Sequence, residues 1–209
     1  MFRMFQGWLS MSHTGPGEGT LLVNPLFKLA TSYILLRPFF SPINTNTEHS
    51  SYLDASNWQL DPVQSTTLHG AGLGVGQELN AALHPHLDLA NSMVHIPRVR
   101  PGDYVVWHCD AIHAVDKTHA GKTDSSVLYI PACPLTELNA RYVARQRNAF
   151  LEGTPGPDFP GGKGESEHIG RMTREDISKH GGVNAERAMG LAAFPGDGIL
   201  EGMNEILDL

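Results

Sequence analysis

Cysteine is scarce in this chain: two residues in 209, Cys109 and Cys133, both flanked by apolar or strand-forming sequence. Two thiols so placed make no disulfide framework, and a reducing, cytoplasmic setting fits them best. Long apolar runs are missing too, since no stretch reaches the roughly 18 residues that a membrane span needs. The opening MFRMFQGWLSMSH holds one arginine and an apolar stretch broken by Gln6 and Gly7, too short and interrupted for a secretory signal. The chain therefore reads as soluble. Positive charge is in deficit, with 15 Lys and Arg against 22 Asp and Glu, a formal net charge of −7. That balance argues against a nucleic-acid partner. The densest basic group, Arg141, Arg145 and Arg147, falls at near-helical spacing and reads as a solvated helix face. The glycine series Gly70, Gly72, Gly74 and Gly76 lacks the GK[ST] ending of a phosphate loop, and no clear strand precedes it.

What is present is enough apolar sequence, 41% of the chain, to bury a real core. A single domain over residues 1–209 is expected, with the Gly/Pro-rich stretch 152–170 as a loop within it. FRMFQGWLSM has bulky side chains on both faces and reads as an inner strand. If Phe2 to Trp8 is such a strand, it should leave an exposed apolar patch or an unpaired edge. Thr20 to Val23 is strand-like. Asn24 then offers an N-cap with Pro25 at the first helical position, and Leu26, Leu29, Ala30, Tyr33, Ile34 and Leu36 follow at helical spacing up to Pro38. Residues 41–76 form a long irregular excursion, of the kind more often functional than idle.

From Ser92 the pattern turns to β-structure. SMVHIP, DYVVWH, DAIHAV and SSVLYIPA predict an antiparallel meander. Leu135 to Leu151 predicts a helix closed by Gly153. Thr173 with Asp176 predicts a capping box opening a short helix that Gly181 and Gly182 end, and DGILEGMNEILDL a C-terminal amphipathic helix.

The chemistry concentrates in GDYVVWHCDAIHAVD. On a strand His108 and Asp110 share a face, while His113 follows a bend at Asp110–Ala111. Three such groups facing one point would make a two-histidine, one-carboxylate site of the kind that suits non-haem Fe(II). The plainer alternative has His108 and Asp110 hydrogen-bonding locally and His113 as a satisfied core histidine. Alternation also predicts His113 on the inner face of a curved sheet, with Ile112 and Ala114 on the other.

PGDYVVWHCDAIHAV followed by SSVLYIPACP resembles the C-terminal half of an Fe(II)/2-oxoglutarate-dependent dioxygenase of the phytanoyl-CoA-hydroxylase-like kind. FRMFQGWLSMSHTGPGEGTLLVNP, HPHLDL and WHCDAIHAV together resemble the DUF1479 (YbiU-like) proteins of that superfamily, over roughly residues 1 to 200. The resemblance implies a mixed α+β chain, a partial double-stranded β-helix (jelly-roll or cupin-like) with flanking helices. It also implies Fe(II) and 2-oxoglutarate as cofactors and a small organic substrate. His113 falls on the family's distal iron-binding histidine. The HxD pair that completes the iron site has no convincing match ahead of the meander, so the chain is expected to begin past two of the three ligands. His86-Leu87-Asp88 and His108-Cys109-Asp110 are formal substitutes. SSVLYIP lacks the cationic cosubstrate anchor usual in the family, which leaves Lys122 and Ser126 as candidates. Two other readings stay open, a non-catalytic remnant and a cupin-type metal binder using His108, Asp110 and His113.

Overall fold

In the computed structural model, which describes residues 1–159 and 161–209, the chain divides into two compact units, Gln6–Ile130, and Met1–Phe5 with Pro131–Leu209. Its strands among the described residues are β1 (Phe5–Ser10), β2 (Leu21–Val23), β3 (Phe40–Pro42), β4 (Trp58–Leu60), β5 (Val94–His95), β6 (Tyr104–His108), β7 (His113–Val115) and β8 (Val127–Tyr129). The helices are α1 (Phe27–Leu36), α2 (Leu89–Ser92), α3 (Glu137–Glu152), α4 (Arg174–Ala188) and α5 (Ile199–Ile206). The class is mixed α/β with small sheets, and the described strands close no barrel. None of these helices is long and apolar enough to cross a membrane.

In the unit Gln6–Ile130 the strands following Ser92 do not form the expected meander. β6 and β8 flank β1 in one three-stranded sheet, and β5 and β7 flank β2 in another. Successive strands thus alternate between sheets. The physical reason is that period-2 patterning marks which residues want burial but carries no partner, so each strand joins whichever neighbour completes a buried face. Here the common core is Trp8 of β1, Leu21 of β2 and Val99, with Val23, Ile96, Val105, Trp107 and Val127 packed around them. The expected unpaired edge does not fall on β1, which is central, although Phe2 and Phe5 keep 45% and 38% of their surface exposed. Gly7 is required by this centrality. A Cβ there would lie 2.4 Å from the Tyr104 hydroxyl and 2.9 Å from the Ile130 carbonyl oxygen, while that hydroxyl donates to the same carbonyl.

The helix after β2 starts later than the sequence suggests. Leu26 is the N-cap residue, and the Asn24 side-chain oxygen accepts the Leu26 N–H at 2.8 Å, so Asn24 shapes the turn ahead of the helix instead of capping it. Within the 41–76 excursion a short hairpin appears, β3 pairing antiparallel with β4.

In the other unit the caps decide the helix ends. Thr136 accepts the Asn139 N–H at 3.2 Å to open α3, and Gly153, at φ 72°, closes it. Thr173 and Asp176 form the reciprocal capping box of α4. Gly182 (φ 61°, ψ −166°) ends the first helical segment as expected, and a second segment follows across this kink as far as Ala188. Arg147 departs from the solvated-face reading. Its guanidinium donates to the carbonyl oxygens of Gly190, just past α4, and Leu207, at the end of α5, helix ends where carbonyls lack intrahelical partners.

Candidate functional site

Cross-strand register determines where His113 points. β7 runs antiparallel to β2, with Val23 opposite His113 and Leu21 opposite Val115. Directly opposed residues share a face, so His113 and Val115 lie on the side of Leu21 and Val23, although all three residues of β7 stay exposed. Leu22 and Ala114, also opposed, lie on the other. The His113 ring meets the Trp107 ring at 5.3 Å between centroids. Both line a cavity of about 340 Å³ with Trp8, Thr20, Leu21 and Val127.

His113 Nδ1 is 2.8 Å from the Ala111 carbonyl oxygen. A carbonyl only accepts, so Nδ1 carries the proton and donates, and Nε2 keeps its lone pair. A metal-ligating imidazole is oriented in the same way, one nitrogen tied to a backbone carbonyl and the other left for the ion.

The remaining members of the proposed triad lie elsewhere. Trp107 belongs to the core face of β6, so His108, one residue on, takes the opposite face with Tyr104 and Val106. Its ring stands edge-on to Phe27 at 5.5 Å. Among the described residues the metal-capable groups that converge are His108, Cys109 and Asp110, whose ligand atoms all fall within 4.8 Å of one another; His113 is not in the group. Cys109 and Asp110 line a second, larger cavity of about 1260 Å³, bounded also by Leu22, Ile34, Leu79 and Met93.

Of the other candidates, His86 and Asp88 sit on a helical turn and not on a strand. His86 Nε2 lies 3.0 Å from the Leu53 carbonyl oxygen, and the Asp88 carboxylate accepts from Asn91 at 2.9 Å and 3.0 Å. Lys122 is exposed in the β7–β8 connection. Ser126 donates its hydroxyl to Asp124, and its backbone N–H donates to Ser12 Oγ at 2.9 Å. Neither Lys122 nor Ser126 is among the residues lining either cavity. Two participants went unassigned by sequence reasoning. Trp107 was readable as His113's companion only once the sheets were known, and Cys109 carried no signal beyond its place between His108 and Asp110.

A separate imidazole, His84, is 1% exposed, and its Nδ1 has no hydrogen-bond partner. Burial first, then the positive charge of Arg37 and His69, hold His84 below its ordinary value of 6.5. Tyr33 packs edge-on against it at 6.4 Å, and the His69 imidazole is likewise lowered, by burial and then by Arg37, against a smaller opposing effect of Asp61. Because the folded value lies below the unfolded one, protons bind the unfolded chain first. The stabilisation is therefore complete above about pH 6.5 and is lost as pH falls from there toward the folded value. Urea midpoints measured across this window should fall on acidification in the native chain and fall less steeply in His84→Phe. Equal slopes would refute the assignment.

With this geometry described, comparison with known proteins gives consistent matches. The family model described as Gig2-like matches residues 1–191. The uncharacterized protein YbiU of Escherichia coli K12 is 34% identical over 191 residues, 91% of this chain and 39% of that protein. The chain thus spans about two fifths of the length of this curated relative. Among solved structures, GlcNAc Inducible Gene 2 (GIG2, DUF1479) from Candida albicans superposes with a TM-score of 0.79 at 32% identity, covering 99% of this chain and 46% of the other. A protein of Salmonella typhimurium LT2 described as a "Putative Oxidoreductase" gives a TM-score of 0.68 at 33% identity, covering 91% and 39%.

Proposed function

Because the chain belongs to the Gig2-like family, we propose that it carries part of a non-haem Fe(II)/2-oxoglutarate-dependent dioxygenase, built on a double-stranded β-helix, in which His113 is one metal ligand. The observation that carries this reading is the placement of His113. Its ring lies on the face of β7 shared with Leu21 and Val23, against Trp107 at the wall of the 340 Å³ cavity, with Nδ1 held by Ala111 and Nε2 left to coordinate. Two small antiparallel sheets sharing a core of Trp8, Leu21 and Val99 also support it, since a double-stranded β-helix is built from two sheets. The Salmonella relative's description as an oxidoreductase agrees with the broad class.

Iron of this type is held by two histidines and a carboxylate, which leave open positions for cosubstrate and O₂. Among the described residues the only one of these ligands at this wall is His113. The donor set of this chain by itself does not fit the ion. The other two ligands would come from the longer sequence that the relatives possess, and 2-oxoglutarate would be met by Lys122 or Ser126 if their loop turns inward. The test is Fe(II)- and 2-oxoglutarate-dependent succinate formation by a longer protein that contains this chain. His113→Ala should reduce it to background, and undiminished turnover in that variant would reject the reading.

A further inference from the structure

The β6–β7 turn holds three different donors in three consecutive residues. His108 Nδ1 lies 3.7 Å from Asp110 Oδ2, and Cys109 Sγ lies 3.5 Å from Asp110 Oδ1. Zinc ligands at their usual bond lengths stand about 3.5 Å apart around a tetrahedron; these two separations are near that value but run to different Asp110 oxygens, and binding through His108 Nδ1 would release the Asp110 N–H that it accepts at 3.2 Å. The turn is tied by the Ala111 N–H donating to the His108 carbonyl oxygen at 2.9 Å, and Phe27 braces the His108 ring. We propose that His108, Cys109 and Asp110 form a binding site for a borderline-soft divalent cation, zinc in the first instance, at the wall of the 1260 Å³ cavity.

The donor set selects the ion class. A thiolate and an imidazole beside one carboxylate favour zinc or cobalt over magnesium or calcium, which take oxygen ligands. Three protein ligands leave a fourth position open, as in catalytic and not in closed structural zinc sites. Cys109 and Asp110 belong to the cavity lining, so that position has room for water or a substrate atom. His113 is not one of the converging donors, although it lines both cavities.

Binding displaces a proton. A free cysteine thiol is protonated at neutral pH, and Cys109 Sγ donates to Asp110 Oδ1. As the S–metal bond forms, the S–H bond breaks and its proton passes to solvent. Affinity should therefore rise about tenfold per pH unit below the thiol's pKa.

The experiment titrates the reduced 209-residue chain with Co(II). A thiolate-to-cobalt charge-transfer band is expected, removed by added Zn(II), with one proton released per cation. Cys109→Ser should abolish the band. His108→Ala and Asp110→Asn should weaken binding by roughly tenfold or more, since even losing a supporting contact costs 10–100-fold. Cys133→Ser should leave it unchanged. As a measurement that needs no variant, Zn(II) should slow alkylation of Cys109 but not of Cys133. No band in the native chain, a band surviving Cys109→Ser, or no protection of Cys109 would each overturn the site. None of these outcomes bears on succinate formation through His113, so the two proposals fail separately.

Discussion

Incubated alone with Fe(II), ascorbate and 2-oxoglutarate, the 209-residue chain is expected to form no succinate above the metal-only background. The reason lies in the count and direction of ligands. A two-histidine, one-carboxylate set fixes three positions of the coordination sphere and so places the three open ones side by side. His113 supplies one imidazole on the face shared with Leu21 and Val23, whereas His108 stands on the other face of its strand and Asp110 converges with His108 and Cys109. A single imidazole neither fixes geometry nor keeps open positions adjacent, and the ion exchanges with water. The assay compares this chain, its His113→Ala variant, and a longer protein that contains this chain, with activity expected only in the last. Turnover by the short chain that disappears in His113→Ala would overturn this account and bring the His108, Asp110 and His113 arrangement forward.

Replacing Trp8 by alanine is expected to destabilise the unit Gln6–Ile130 strongly. Trp8 is 5% exposed on the central strand β1 and shares the core with Leu21 and Val99, so both sheets pack on it. Large-to-small changes at such positions cost about 3–5 kcal/mol through lost burial and the cavity left behind. Against a typical total of about 5–15 kcal/mol, that is a large share. Urea denaturation followed by far-ultraviolet circular dichroism should show the transition moved to much lower denaturant. A midpoint within experimental scatter of the native one would show that the core is centred elsewhere. Trp8→Phe, which keeps most of the buried apolar surface, should be far milder.

Several local signals in the sequence were legible, though the Asn24 cap was not one of them. Gly153 closes α3, Thr173 and Asp176 form the capping box, and the four β-runs after Ser92 all contain strands. These are caps, turns and alternation, whose causes lie within a few residues. The Gig2-like relationship was legible too, because WHCDAIHAV and FRMFQGWLSM are long and specific strings.

Tertiary structure alone decided the rest. Which strand pairs with which is a long-range choice, and it turned the expected meander into two sheets that take alternate strands, with Phe5–Ser10 at the centre of one of them. That pairing in turn put Trp107 beside His113 and sent His108 to the opposite face. Three residues that look like a set along the chain were thereby divided, because two sit on opposite faces of strands in different sheets while the third follows a turn. The sequence determines which residues can act as ligands; only the packing of β1, β2, β6 and β7 determines which of them face the same point, since that direction depends on partners a hundred residues apart.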